Sequence, residues 1–132
     1  MNEQRLVSSL TDLLRVKLHH SLVTKHSERI VGGTVGVPDV SVNCNRDTSW
    51  WEVKYADPTF TSHGRQELTM LMLANYSHHA RYIIYEKVGK VKRSYIVHPS
   101  NLAVWNTTFE HIFEGFNHEA IVNYIKKVHG IE

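Results

Sequence analysis

The chain has 132 residues, enough for one domain with its own core and too few for two ordinary ones. Fifteen Lys and Arg against thirteen Asp and Glu leave a formal charge of +2, so net charge alone singles out neither nucleic acid nor an acidic partner. A single cysteine, Cys44, excludes an internal disulfide framework, and no apolar run is long enough to span a bilayer.

From Glu3 to about His20, the residues Leu6, Val7, Leu10, Leu13, Leu14 and Leu18 recur at helical spacing and form one apolar stripe. Glu3 lies at the end of that stripe, so its side chain is expected to point inward. The opening Met-Asn-Glu-Gln-Arg has no hydrophobic signal core, which predicts an intracellular protein, in the cytoplasm of a prokaryote or of a virus-infected host cell. Residues 21–36 turn polar and then glycine-rich, ending Gly32-Gly33-Thr34-Val35-Gly36, and predict a loop with a short strand around Arg29 to Val31.

Val37 to Asn43 alternates like a strand, with Asp39, Ser41 and Asn43 facing one way and Val40 and Val42 the other. Asn45-Arg46-Asp47-Thr48 predicts a hairpin turn into a strand from Ser49 to Tyr55. On it Trp50, Glu52 and Lys54 share one face, and Trp51, Val53 and Tyr55 share the other. Bulky groups on both sides predict a central strand covered twice. Arg65 to about Ala80 reads as a helix whose apolar residues spread around most of its circumference, so burial on more than one side is expected. Arg81 to Lys87 and Lys90 to Val97 predict a hairpin around Gly89, and loop and helix follow, with a last stripe at Ile121, Val122, Tyr124, Ile125 and Val128. This order predicts an α/β fold, a mixed sheet flanked by helices, in a single domain over 1–132.

Charge placed where charge is costly is the informative feature. Glu52 and Lys54 project from one face of a strand whose other residues are tryptophan, valine and tyrosine, and Asp39 can lie beside Glu52 across the strand pair. Neighbouring buried carboxylates repel, and a divalent cation resolves the conflict. Hard oxygen donors suit Mg²⁺, with Mn²⁺ as a substitute, rather than zinc. Such an ion keeps coordination positions open for phosphate and water, and Lys54 would stabilise the charged phosphorus centre, so the set points to phosphodiester hydrolysis. The plain alternative is Asp39 capping a turn while Glu52 and Lys54 form an exposed ion pair. Pro38-Asp39 at hairpin distance and the two covered faces weigh against it.

Gly36-Val37-Pro38-Asp39 followed by Trp51-Glu52-Val53-Lys54 resembles the signature of the PD-(D/E)xK nuclease superfamily. The layout is similar to archaeal-type Holliday junction resolvases and to virus-type replication-repair (VRR-NUC) domains: a helix with Glu, a glycine loop, a Pro-Asp strand, a Glu-Val-Lys strand, a helix with Gln, then a hairpin. It covers roughly residues 3 to 102. The resemblance implies a restriction-endonuclease-like sheet, a metal held by Asp39, Glu52 and the backbone carbonyl of Val53, and a catalytic Lys54. It implies that Glu3 completes the metal site through water and that Gln66 positions a phosphate or the lysine. It also implies DNA, branched DNA included, as substrate and a homodimer as the working form. The chain departs from the resolvases in lacking a Gly-Ser pair just before the helical glutamate, and in carrying Thr34 where they often use serine.

For contacts with DNA the candidates are Arg29 and Thr34 beside the glycine loop, His63 before Gln66, and Lys87 and Lys90 in the hairpin. A solvated surface accounts equally well for the lysines. His19-His20 and His78-His79 are expected to be surface pairs, because neither places two imidazoles on one helix face. The rivals are a restriction-type or a flap and single-strand nuclease on the same core, and a catalytically silent DNA-binding or assembly module.

Overall fold

The computed structural model describes residues 2–26, 37–56, 64–76 and 79–131, with the side chains of residues 64–67 outside that description. The first helix, α1 (Glu3–Lys17), starts where the Asn2 side chain accepts a hydrogen bond from the Arg5 backbone N–H, and it carries Glu3 in its first turn and Arg15 and Lys17 in its last. His20 takes a positive φ of 62° and turns the chain into β1 (Leu22–Lys25). This strand occupies a stretch expected to be loop. Four residues at the edge of a sheet are too few for an alternating pattern to show.

β2 (Val40–Cys44) and β3 (Asp47–Ala56) form a hairpin closed by Asn45 and Arg46, with Cys44 opposite Asp47. Both turn residues have positive φ, 55° and 65°, the type I′ pattern that matches the twist of the strands. Asn tolerates that conformation; Arg does so at a cost of roughly 1–2 kcal/mol. Arg46→Gly is therefore expected to stabilise the chain by about 0.5–1 kcal/mol once glycine's extra chain entropy is subtracted, read as a rise of about 3 °C in the melting temperature.

β3 and β4 (His79–Val88) are parallel, and α2 (Gly64–Tyr76) makes the crossover between them. Gly89 and Lys90 then turn β4 into β5 (Val91–Val97), a 3₁₀ segment follows at Pro99–Val104, and β6 (His111–Glu114) leads to α3 (His118–Val128). The result is a six-stranded sheet in sequential order, antiparallel everywhere except at β3–β4. The helix expected to run to Ala80 stops at Tyr76, because His79 and Ala80 are already paired with Ser49 and Trp50.

Helices cover both faces. Leu6, Leu10 and Leu14 of α1 and Ile121 and Ile125 of α3 pack on Trp51 and Val53. On the other face Met70 of α2 and Leu102 of the 3₁₀ segment pack on Ala56, Tyr82, Ile84, Tyr95 and Val97. β3 thus separates two cores, as its bulky residues on both faces require. The expectation for α2 needs correction: Met70 is buried, whereas Leu68, Met72 and Tyr76 are exposed, since α3 packs beside α1 on the opposite face. His79 is not a surface helix residue either. It sits half-buried at the start of β4 against the rings of Trp51 and Tyr124, and burial pushes its imidazole down to about 4.

Candidate active site

β2 begins at Val40, opposite Trp51, but β3 continues to Ala56. Among the described residues, β3 beyond Trp51 pairs in the sheet only with β4, and the N–H groups on its β2 side meet other acceptors. Two carboxylates supply them. Asp39 Oδ2 accepts from the Val53 N–H at 2.8 Å, and Glu3 Oε1 accepts from the Tyr55 N–H at 3.2 Å. In the reverse direction the Asp39 N–H donates to Glu52 Oε1 at 3.0 Å. These bonds hold residue 39 against residues 52 and 53, with the Asp39 carboxyl close enough for its charge to act on that of Glu52.

Glu52 is 1% exposed and Lys54 5%, with the ammonium 3.3 Å from Glu52 Oε2. An exposed ion pair on a solvated sheet face is thereby ruled out. Glu52 pairs across the sheet with the buried Tyr82. Burial pushes the Glu52 carboxyl up to about 8, the neighbouring Asp39 charge adds to the rise, and Lys54 opposes it. Burial thus favours the protonated Glu52 carboxyl, and a bound cation would favour the ionised one.

Two oxygen donors come from Asp39 and Glu52. In a strand a residue's N–H and C=O lie on the same side, so the Val53 carbonyl also faces the open edge where its N–H meets Asp39. That set fits Mg²⁺, which binds through one or two carboxylates and retains several waters. Among the described residues no group of three or more His, Cys, Asp and Glu side chains is arranged to hold a metal ion. Glu3 is exposed rather than turned inward as expected, because α1 begins at the rim of the sheet and its first residue reaches only the edge of β3.

Lys87 and Lys90 are exposed on the β4–β5 hairpin. Lys54 pairs with Ile84, so alternation along β4 puts Lys87 on the face away from Glu52 and Lys54. The backbone of Gln66 lies in the first turn of α2, with its side chain outside the description. Arg29, Thr34, His63 and His78, with the strand expected around Arg29 to Val31, lie outside the described residues.

His26 belongs to the site's surroundings and was not singled out by sequence. Its N–H donates to the Asp39 carbonyl at 2.8 Å, its ring stacks on Trp50 with centroids 5.6 Å apart, and Nε2 lies 2.9 Å from Ser41 Oγ. The signal that would have found it is β1 itself: with Lys25 paired to Val40, the next residue falls beside Asp39. Among known proteins, no family model and no curated sequence matches this chain, and what the site can do is read from its geometry.

Proposed function

We propose that the chain is a Mg²⁺-dependent nuclease of restriction-endonuclease-like fold that hydrolyses DNA phosphodiester bonds and selects branched DNA in the manner of a Holliday junction resolvase. The observation that carries this reading is the half-buried Asp39 held by hydrogen bonds against the buried Glu52, with Lys54 beside it. Accepting from the Val53 N–H accounts for Asp39 but gives no reason to bury the Glu52 carboxyl beside it, where the Asp39 charge disfavours its ionisation. The order of elements also supports it: Glu3 on α1, Asp39 entering β2, Glu52 and Lys54 on β3, Gln66 on α2, then a hairpin.

Asp39, Glu52 and the Val53 carbonyl would hold Mg²⁺, or Mn²⁺ in its place, with Glu3 contributing through water. When bound, the ion supplies neutralisation of charge on the phosphate and a lowered pKa for water. Lys54, fixed by Glu52, orients the attacking water and donates to a phosphate oxygen as negative charge builds there. Gln66, whose backbone lies in the first turn of α2, would position a phosphate or the lysine. Water attacks phosphorus and gives up a proton to solvent, the bond to the leaving sugar oxygen breaks, and solvent returns a proton to that oxygen. The exposed stripe Leu68, Met72 and Tyr76 on α2 supports a homodimer, whose twofold axis suits a symmetric junction.

Cleavage of a four-way junction, a flap, single-stranded DNA and a linear duplex, each with Mg²⁺ and with EDTA, tests the proposal. Paired symmetric nicks in the junction that vanish with EDTA are the expected result. Preference for flap or linear substrates would reassign the specificity, and no cleavage of any nucleic acid would leave a silent binding module.

A further inference from the structure

Among the described residues, the β4–β5 hairpin extends beyond the other strands of the sheet. β3 pairs with β4 only as far as Glu86, and β6 pairs with β5 only from Arg93 onward. Past those residues the two strands pair with each other, Lys87 with Lys92 and Val88 with Val91, around the Gly89-Lys90 turn. Gly89 has φ 60° and Lys90 does not share the positive φ, the type II′ pattern of a tight two-residue connection. The projecting piece is a narrow, well-registered ribbon.

Its composition is unusual for a free-standing tip. Residues 86–93 hold four cations (Lys87, Lys90, Lys92, Arg93) and one anion, Glu86. Glu86 and Arg93 face each other and form an ion pair at 3.8 Å. Lys87 and Lys92 also face each other, a like-charge pair that costs stability in the free ribbon, with Lys92 drawn over the Phe116 ring at 5.1 Å. On the reverse face Val88 and Val91 form an apolar pair, 61% and 48% exposed. Alternation from Ile84, the partner of Lys54, places Val88 and Val91 on the same face of the sheet as Glu52 and Lys54.

An apolar pair on one face of the ribbon, backed by a repulsive pair of lysines on the other, fits a polyanion that also offers apolar surface. Nucleic acid with accessible base faces has both. Resting on the nuclease reading above, we infer that this ribbon is the element that selects distorted DNA: Val88 and Val91 press against bases exposed at an unstacked step while Lys87, Lys90 and Lys92 meet the flanking phosphates. Val88 lies four residues beyond the partner of Lys54, or about 13 Å at ~3.3 Å per residue. With the duplex lying along β4 in this proposal, that distance spans about four base steps at ~3.4 Å each and places the cut about four nucleotides from the distortion.

The test uses the full chain, a synthetic duplex with a two-nucleotide bulge and the same duplex without it, with 2-aminopurine beside the bulge. Binding is measured in EDTA and cutting in Mg²⁺. The parent is expected to bind the bulged duplex about tenfold more tightly than the plain one, to raise the 2-aminopurine fluorescence, and to cut about four nucleotides away. Val88→Ser/Val91→Ser, two exposed changes whose melting curve should match the parent's, is expected to reduce that preference to about twofold and to abolish the fluorescence rise. A double variant that keeps the full preference overturns the inference, as does a parent that ignores the bulge. Bulge-selective binding that the double variant loses, without cleavage by any form, upholds the ribbon's role and sinks the hydrolytic reading instead.

Discussion

Asp39→Asn is expected to lower the rate of DNA hydrolysis about a thousandfold or more while leaving the metal-free chain at least as stable as the parent. The activity loss follows from removing one of two charged ligands to an ion that supplies several kcal/mol of charge stabilisation, at about 1.4 kcal/mol per tenfold. The stability effect has the opposite sign, for a reason specific to this site. Asparagine retains an oxygen to accept from Val53 N–H, but it no longer places a negative charge against Glu52. Because the Glu52 carboxyl is raised from 4.5 to about 8, the native state keeps a proton over that pH range that the unfolded chain has lost. Stability contributed by this group is therefore intact below about pH 4.5 and falls as pH rises towards 8, by on the order of 3 kcal/mol at neutral pH. Removing the Asp39 charge relieves the second cause of the shift and leaves burial, the first, so the slope flattens without vanishing. Urea unfolding in EDTA between pH 5 and pH 8, beside cleavage rates in Mg²⁺, reads both effects. A loss of more than about 1 kcal/mol at pH 7 with hydrolysis nearly unchanged would make Asp39 a structural cap and nothing more.

Lys54→Met should separate chemistry from metal binding. Hydrolysis is expected to drop about a hundred- to a thousandfold, the range for deleting one aimed donor to a developing charge. Affinity for Mg²⁺ or Mn²⁺ is expected to hold or increase, because the substitution removes a cation 3.3 Å from Glu52. Methionine has a similar length, so the stem of Lys54 is replaced without leaving a void. Single-turnover cleavage and Mn²⁺ titration on the same preparation give the two readings. A variant that loses metal and activity together would place Lys54 among the groups that hold the ion site in shape.

Much of this site is legible in the chain because the chemistry conflicts with its surroundings. Pro38-Asp39 and Glu52-Val53-Lys54 put charge on strands otherwise built of valine and tryptophan, and alternation alone puts Glu52 and Lys54 on one face. The hairpins were readable too, Asn45-Arg46 and Gly89 marking turns between alternating runs. β1 and β6 were not. Each has four residues and lies at a sheet edge, so neither carries enough alternation to stand out from polar loop. His26 was hidden with β1, since its position beside Asp39 exists only once Lys25 is paired with Val40. The extent of α2 was misjudged because His79-Ala80 suits helix and strand equally in composition, and pairing with β3 decides it. The bonds from Val53 and Tyr55 to the Asp39 and Glu3 carboxylates depend on β2 ending one residue short of Glu52, a boundary no local pattern sets.

Calorimetric titration of Mg²⁺ into the metal-free chain at pH 7, repeated in buffers of different ionisation enthalpy, measures directly whether the Asp39–Glu52 pair is a cation site. Saturable binding should occur with release of up to one proton per ion, since the ion displaces the proton that burial and Asp39 hold on Glu52. Heats of dilution alone, in every buffer and at any accessible Mg²⁺ or Mn²⁺ concentration, would contradict it.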